Sequence, residues 1–202
     1  MDAKQGPEGG ENPQRDNRAL LMERALELFA KRGYDAVGVQ EIVLSAGLTK
    51  PTLYHYYASK LGLLEALLED RGGRLRLGLD EAARYDGDVP LTLERIAFRL
   101  ADFAKTEPLF YRFLLSLHFA PIESEARVAA AELLDWLHVR LTATFKQAKA
   151  QLGNMHGREA LFAASFLGLL NTWIGIALNG KVKLDAPTLR AVVRQFMHGI
   201  YS

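Results

Sequence analysis

Apolar residues recur at helical spacing along most of the chain. In NRALLMERALELFAKRG, Leu21, Ala25, Leu28 and Phe29 share one face with charges opposite, and Gly33 follows the last periodic position. This pattern predicts an amphipathic helix that stops at the glycine. GVQEIVLSAG is a shorter version, with Val39, Ile42 and Val43 inward and a close near Gly47. From Lys60 a longer helix runs through LGLLEALLEDRGGRLRLGLDEAAR, softened where Gly72 and Gly73 lie inside it. YDGDVP is a turn. Beyond it, helices are expected at roughly 91–105, 108–118, 124–151, 157–179 and 186–201, with Pro108 and Pro187 in first turns and Ser124 as an N-cap. No stretch alternates as a strand would and none repeats. The expectation is an all-α chain of about nine helices.

One segment departs from plain amphipathic patterning. LTKPTLYHYYASK, residues 48–60, holds three tyrosines, a histidine and two lysines around a proline, with no acid. Gly47 allows a sharp turn before it, Thr49 can cap it, and Pro51 suits its first turn. Two short helices joined by SAGLT form a helix-turn-helix, whose second helix can lie in a DNA major groove. Leu53 and Tyr57 are spaced i,i+4 and face the small core with Phe29 and Ile42. Lys50 and Tyr54 share another face, and Thr52, His55 and Tyr56 lie together away from Leu53. Those hydroxyls, the imidazole and the cation suit phosphate oxygens and base edges. Lys60 opens the following helix, where its ammonium can reach a phosphate near the helix's positive end.

Composition adds limits. The chain has 202 residues, 49% of them apolar, a net charge of +1 and no cysteine. It can bury a proper core, and any nucleic-acid surface must be a local patch. Disulfides, thiolate catalysis and cysteine zinc sites are excluded. Between Asn17 and Lys60 there are six Lys/Arg against four Asp/Glu, and residues 42–64 contain no acid. The polar, Gly/Pro-rich N-terminus is read as a disordered tail over residues 1–16, not a signal peptide. A head over 17–63 and a helical body over 64–202 follow. The five histidines suggest no metal site: Asp135 and His138, with Glu132 one turn earlier, read as a solvated helix face. No cofactor motif is present.

Residues 18–68, RALLMERALELFAKRGYDAVGVQEIVLSAGLTKPTLYHYYASKLGLLEALL, resemble the DNA-binding domain of the tetracycline-repressor (TetR) family without a gap. The resemblance implies a three-helix DNA-binding head and a helical body that binds a small ligand and forms a homodimer. By position it implies that Thr49 caps the recognition helix and touches phosphate, and that Lys50 and Tyr54 contact the backbone. It places Pro51 in the first turn, Thr52, His55 and Tyr56 at or near base edges, and Lys60 on a phosphate. Val37 and Gly38 stand where the family often has Thr and Ser/Thr; Tyr57 replaces a common Phe, and Pro51 a common Gly or Ala.

In the body, Phe103, Phe110, Tyr111, Phe113, Leu117, His118, Trp136, Leu137, His138, Phe166 and Asn171 are candidates for an apolar ligand pocket with a few polar groups. Ala160–Gly180 carries no charge and is about long enough to span a bilayer. Ser165, Asn171 and Thr172 interrupt it, so a buried helix or subunit interface is the expected reading, with no membrane partner. Ala164, Gly168 and Gly175 lie near one face of it. Leu189, Val193, Phe196 and Ile200 align on the last helix. In the family these two positions form a four-helix dimer interface. The function expected is a cytoplasmic, non-enzymatic transcriptional repressor, released from an inverted-repeat operator in double-stranded DNA by a small hydrophobic or aromatic effector. The alternative is a helical small-molecule-binding protein or enzyme with a vestigial head.

Overall fold

The computed structural model describes residues 13–149 and 157–198. Among them the chain is α-helical throughout: α1 (Pro13–Arg32), α2 (Val39–Ser45), α3 (Lys50–Tyr57), α4 (Lys60–Ala82), α5 (Val89–Thr106), α6 (Pro108–His118), α7 (Glu125–Ala148), α8 (Glu159–Leu178) and α9 (Ala186–His198). The first helix begins at Pro13, a residue suited to a first helical position, so the tail expected over 1–16 gives way to helix sooner.

The first three helices wrap a small core. Leu21, Ala25 and Phe29 from α1, Ile42 and Val43 from α2, and Leu53 and Tyr57 from α3 are all buried. Val37 is buried too, so the position that lacks the family's hydroxyl supplies apolar packing instead. The Tyr57 hydroxyl donates to the Arg18 carbonyl at 2.6 Å, fixing the end of α3 to the start of the head. Its phenol is pushed up to about 12, chiefly by burial.

α4 carries the chain from head to body. Its first turn is capped by Ser59, whose Oγ accepts the Gly62 N–H at 2.9 Å. It touches α1 and α3, then α5 and α7. α7 and α8 make the most extensive helix pair, and α5 lies among α4, α6, α8 and α9. Ser124 caps α7 by accepting the Arg127 N–H at 3.2 Å.

Gly72 and Gly73 do not interrupt α4, which runs unbroken past them. The two differ. A Cβ on Gly72 would stand 2.8 Å from Leu133 Cδ2, so this glycine lets α7 approach closely; a Cβ on Gly73 would meet nothing within 4 Å. Gly73→Ala is therefore expected to raise the melting free energy by up to about 1 kcal/mol through helix propensity. Gly72→Ala should lower it by forcing Leu133 aside. A thermal melt of each variant distinguishes close packing from softness; equal gains from both would contradict the close approach.

The last two helices correct part of the expected dimer face. Leu189 and Val193 are 3% and 1% exposed within a single protomer. Phe196 lies against Phe166, Phe145 and Phe162, with ring centroids 4.9, 6.1 and 6.3 Å away. The apolar stripe of α9 thus closes its own body, and its outward residues include Arg190, Arg194 and Gln195. Ile200 lies outside the described residues. On α8, Ala163, Phe166, Leu170 and Ile174 point inward while Leu161, Ala164, Ser165, Gly168 and Thr172 are exposed. By length and composition Glu159–Leu178 could cross a membrane, and only 22% of its apolar window is buried in the protomer.

Candidate nucleic-acid interface and internal cavity

The turn before α3 is built by backbone: Gly47 sits at φ +64° and the Leu48 N–H reaches the Val43 carbonyl at 2.8 Å. A side chain at that φ is strained, which is the reason for glycine there. α3 then hangs on Leu53 and Tyr57, its two buried residues. Lys50, Pro51, Tyr54 and His55 are exposed, and Thr52 and Tyr56 are half-buried. His55 and Tyr56 meet edge to face at 5.1 Å. The spacing argument sorted this helix as observed.

Two details differ from expectation. Thr49 occupies the N-cap position but caps no backbone N–H; its hydroxyl pairs with the Thr52 hydroxyl at 2.9 Å. Lys60 is engaged inside the head. Its ammonium donates to the Tyr34 and Val37 carbonyls, each at 3.1 Å, and lies 3.9 Å from the Tyr34 ring centroid. It clamps the α1–α2 loop in this conformation, a role that spacing alone does not reveal.

The head's acids are largely occupied. Glu27 pairs with Arg24 at 3.0 Å, and Glu41 pairs with Arg32. Their charges are offset on the protein, and the surface around α3 stays without a carboxylate of its own from residue 42 to 64. Such a face presents hydroxyls, an imidazole and an ammonium to a polyanion, with nothing nearby in sequence to repel it.

Three joints fasten the head to the body. Phe29 of α1 stacks on Phe113 of α6 at 5.8 Å. The Tyr34 hydroxyl donates to Glu125 in the first turn of α7, and burial, reinforced by that carboxylate, raises the phenol far above its ordinary range. Arg71 on α4, only 13% exposed, pairs with Glu23 of α1 and with Glu107 before α6, the latter at 2.6 Å.

Behind these joints lies a cavity of ≈150 Å³ between α4, α5, α6, α7 and α8. Leu75, Leu100, Leu114, Leu115, Leu134, Leu137, Leu167, Ala164 and Gly168 line it, with Tyr111, His118, His138 and Asn171 as its polar groups. The Tyr111 hydroxyl donates to Asn171 Oδ1 at 2.7 Å. Burial raises the Tyr111 phenol well above its usual value, so it stays a hydroxyl.

Of the eleven expected pocket residues, Tyr111, His118, Leu137, His138 and Asn171 line this cavity. Phe103, Phe110, Phe113, Phe166 and Leu117 do not: they are buried as core, where Phe103 and Phe110 meet edge to face at 6.1 Å. Trp136 lies instead against Arg76, 5.7 Å from its ring. Ala164 and Gly168, expected at the dimer face, border the cavity from α8. Leucines, carrying no chemical signal in the sequence, supply most of the wall. A wider, more open cleft of ≈570 Å³ lies between α5, the end of α8 and the loop to α9, with Lys105, Lys183 and Asp185 among its residues. Among the described residues no group of three His, Asp or Glu is placed to hold a metal.

Comparison with known proteins agrees with this architecture. Residues 21–67 match the family described as "Bacterial regulatory proteins, tetR family". The chain is 33% identical over 122 residues to the HTH-type transcriptional activator FasR of Mycolicibacterium smegmatis, covering 60% of this chain and 54% of that protein. It is 28% identical over 182 residues to the transcriptional regulator AcuR of Cereibacter sphaeroides, covering 87% and 81%. The fold is that of the transcriptional regulator FadR from Bacillus subtilis, solved in complex with stearoyl-CoA. The TM-score is 0.72 at 17% identity, over 91% of this chain and 99% of that one. With its helix-turn-helix head, its helical body and these relatives, the chain belongs to the TetR family of bacterial regulatory proteins.

Proposed function

We propose that the protein is a cytoplasmic homodimeric repressor that a small effector releases from an inverted-repeat operator. The observation that carries this reading is the position of α6 and α7. Tyr111 and Leu114 of α6 line the cavity while Phe113 stacks on the head. Leu134, Leu137 and His138 of α7 line it while Glu125 holds Tyr34. A ligand that spreads either helix acts directly on a head joint, and a coupling of about 1–3 kcal/mol is ordinary for such a device.

In this reading Thr49, Lys50 and Tyr54 meet phosphates, Pro51 starts the helix against the groove, and Thr52, His55 and Tyr56 reach base edges. Lys60 exchanges one of its loop carbonyls for a phosphate on docking. The outward face of α8, Ala164, Gly168 and Gly175 included, meets its symmetry mate, since an isologous contact buries the same apolar strip twice. Two recognition helices then enter successive major grooves about 34–36 Å apart. Ligand changes that separation, and the two half-sites can no longer be held together.

The test is sedimentation of the protein alone and with labelled duplexes tiling the DNA beside its gene. The reading expects two chains in free solution and two, or a multiple of two, on one inverted repeat. A monomer that binds without choosing a duplex would overturn it.

A further inference from the structure

The cavity's size and lining narrow the class of effector; this inference rests on the reading of the cavity as the effector site. Its ≈150 Å³ is about the volume that accepts benzene in an apolar protein interior, and is small beside the usual pocket for a larger ligand. A long acyl chain would not be enclosed by it, and would extend past the exposed border formed by His118, Ala164 and Gly168.

The polar groups are equally restrictive. Among the described residues no Asp, Glu, Lys or Arg lines the cavity, so a cationic ligand would find no counter-charge from them. Tyr111 has committed its proton to Asn171 Oδ1, which leaves the Asn171 amide offering its N–H donors. His118 and His138 reach the same space from α6 and α7. Imidazole is the side chain that gains a positive charge nearest neutral pH, and each protonated ring offers two N–H donors. The cavity is therefore apolar, with the Asn171 amide N–H groups and the two imidazoles as the polar groups that face a ligand.

We propose that it takes a small monocarboxylate: an aromatic ring or short chain held among the leucines, with its carboxylate facing His118, His138 and the Asn171 amide. Charge-assisted hydrogen bonds from the imidazoles neutralise the acid. The two histidines lie on different helices, so drawing both toward one anion shifts α6 against α7, the helices that carry Phe113 and Glu125 of the head joints.

Calorimetric titration of the full chain with benzoate, benzamide, benzylammonium and dodecanoate tests this. Benzoate is expected to bind about tenfold more tightly than benzamide, the difference between charge-assisted and neutral hydrogen bonds. Benzylammonium and dodecanoate should bind more weakly than either. In the variant H118L/H138L the preference for benzoate over benzamide should vanish. H118Q/H138Q keeps amide donors without a charge and should keep benzamide binding while losing most of the benzoate advantage, which guards against a misfolded leucine variant. Equal binding of the three benzyl-type probes, tighter binding of dodecanoate, no binding of any probe, or a preference that survives both double variants would each overturn the proposal. Because binding is read without DNA, such a failure leaves the DNA-binding reading standing. Benzoate binding by a chain that ignores operator DNA would instead remove the regulator.

Discussion

Gly62→Ala is expected to destabilise the head by about 1–3 kcal/mol or more and to abolish specific DNA binding. Gly62 lies in the first turn of α4, where a Cβ would fall on the carbonyl oxygen of Tyr57 and stand 3.3 Å from its carbonyl carbon. Both atoms are backbone and cannot rotate away. The chain is tightly turned there: Ala58 has φ +60°, and the Ser59 N–H reaches the Tyr57 carbonyl at 2.6 Å. Tyr57 is also tied to Arg18, so relieving the clash means tilting α3 away from its own core. Thermal melting and duplex binding should fall together. Gly73→Ala, on the same helix but facing open space, is the control that should melt higher. Wild-type melting and DNA affinity in Gly62→Ala would show that the two helices do not approach as described.

The second large effect separates affinity from stability. Tyr54→Ala with His55→Ala should weaken operator binding by about 1–3 kcal/mol, or roughly fivefold to 150-fold, through the base-edge contact of His55, with a further loss, even across sequences, from the phosphate contact of Tyr54. Melting should move by less than about 0.5 kcal/mol, as for other surface changes. Tyr54 is 48% exposed and His55 is also exposed, so neither supports the head. Lys50→Ala should instead weaken binding evenly across sequences and lower the salt slope by about one. A helical binding protein with a vestigial head predicts no loss from any of the three. Unchanged operator affinity in the double variant would favour that alternative.

How far the fold could be read from the chain depended on what each signal encodes. Helix bounds were legible because punctuation is local: Pro108 and Ser124 start α6 and α7 where expected. The sorting of α3 was legible because a two-residue buried stripe leaves the remaining residues no choice of face. Partner identity was not. The α9 stripe announces burial, but Leu189 and Val193 would look the same facing a second copy as they do facing their own body. Glycine pairs are ambiguous for a related reason: Gly72 marks close packing and Gly73 marks nothing, a distinction that depends on Leu133, on a different helix far along the chain.

The candidate site divides along the same line. Tyr111, His118, His138 and Asn171 were visible as polar groups in apolar helices, and they converge on the cavity. The aromatics expected beside them fill the core instead, because large rings pack best where nothing is left open. Leu75 and Leu100, which do line the cavity, look like any other core leucine. The commitments of Lys60 to two carbonyls and of Tyr34 to Glu125 cross from one segment to another, and no spacing rule within either segment encodes them.

In the proposed function α3 reads one DNA sequence through its exposed face. Its most direct test is competition anisotropy: a labelled duplex carrying the inverted repeat, challenged with random duplex across a salt series. The specific affinity is expected to be at least about 10³-fold above random duplex, with the logarithm of affinity falling linearly as the logarithm of salt rises. Equal displacement by random duplex at every salt concentration would contradict it.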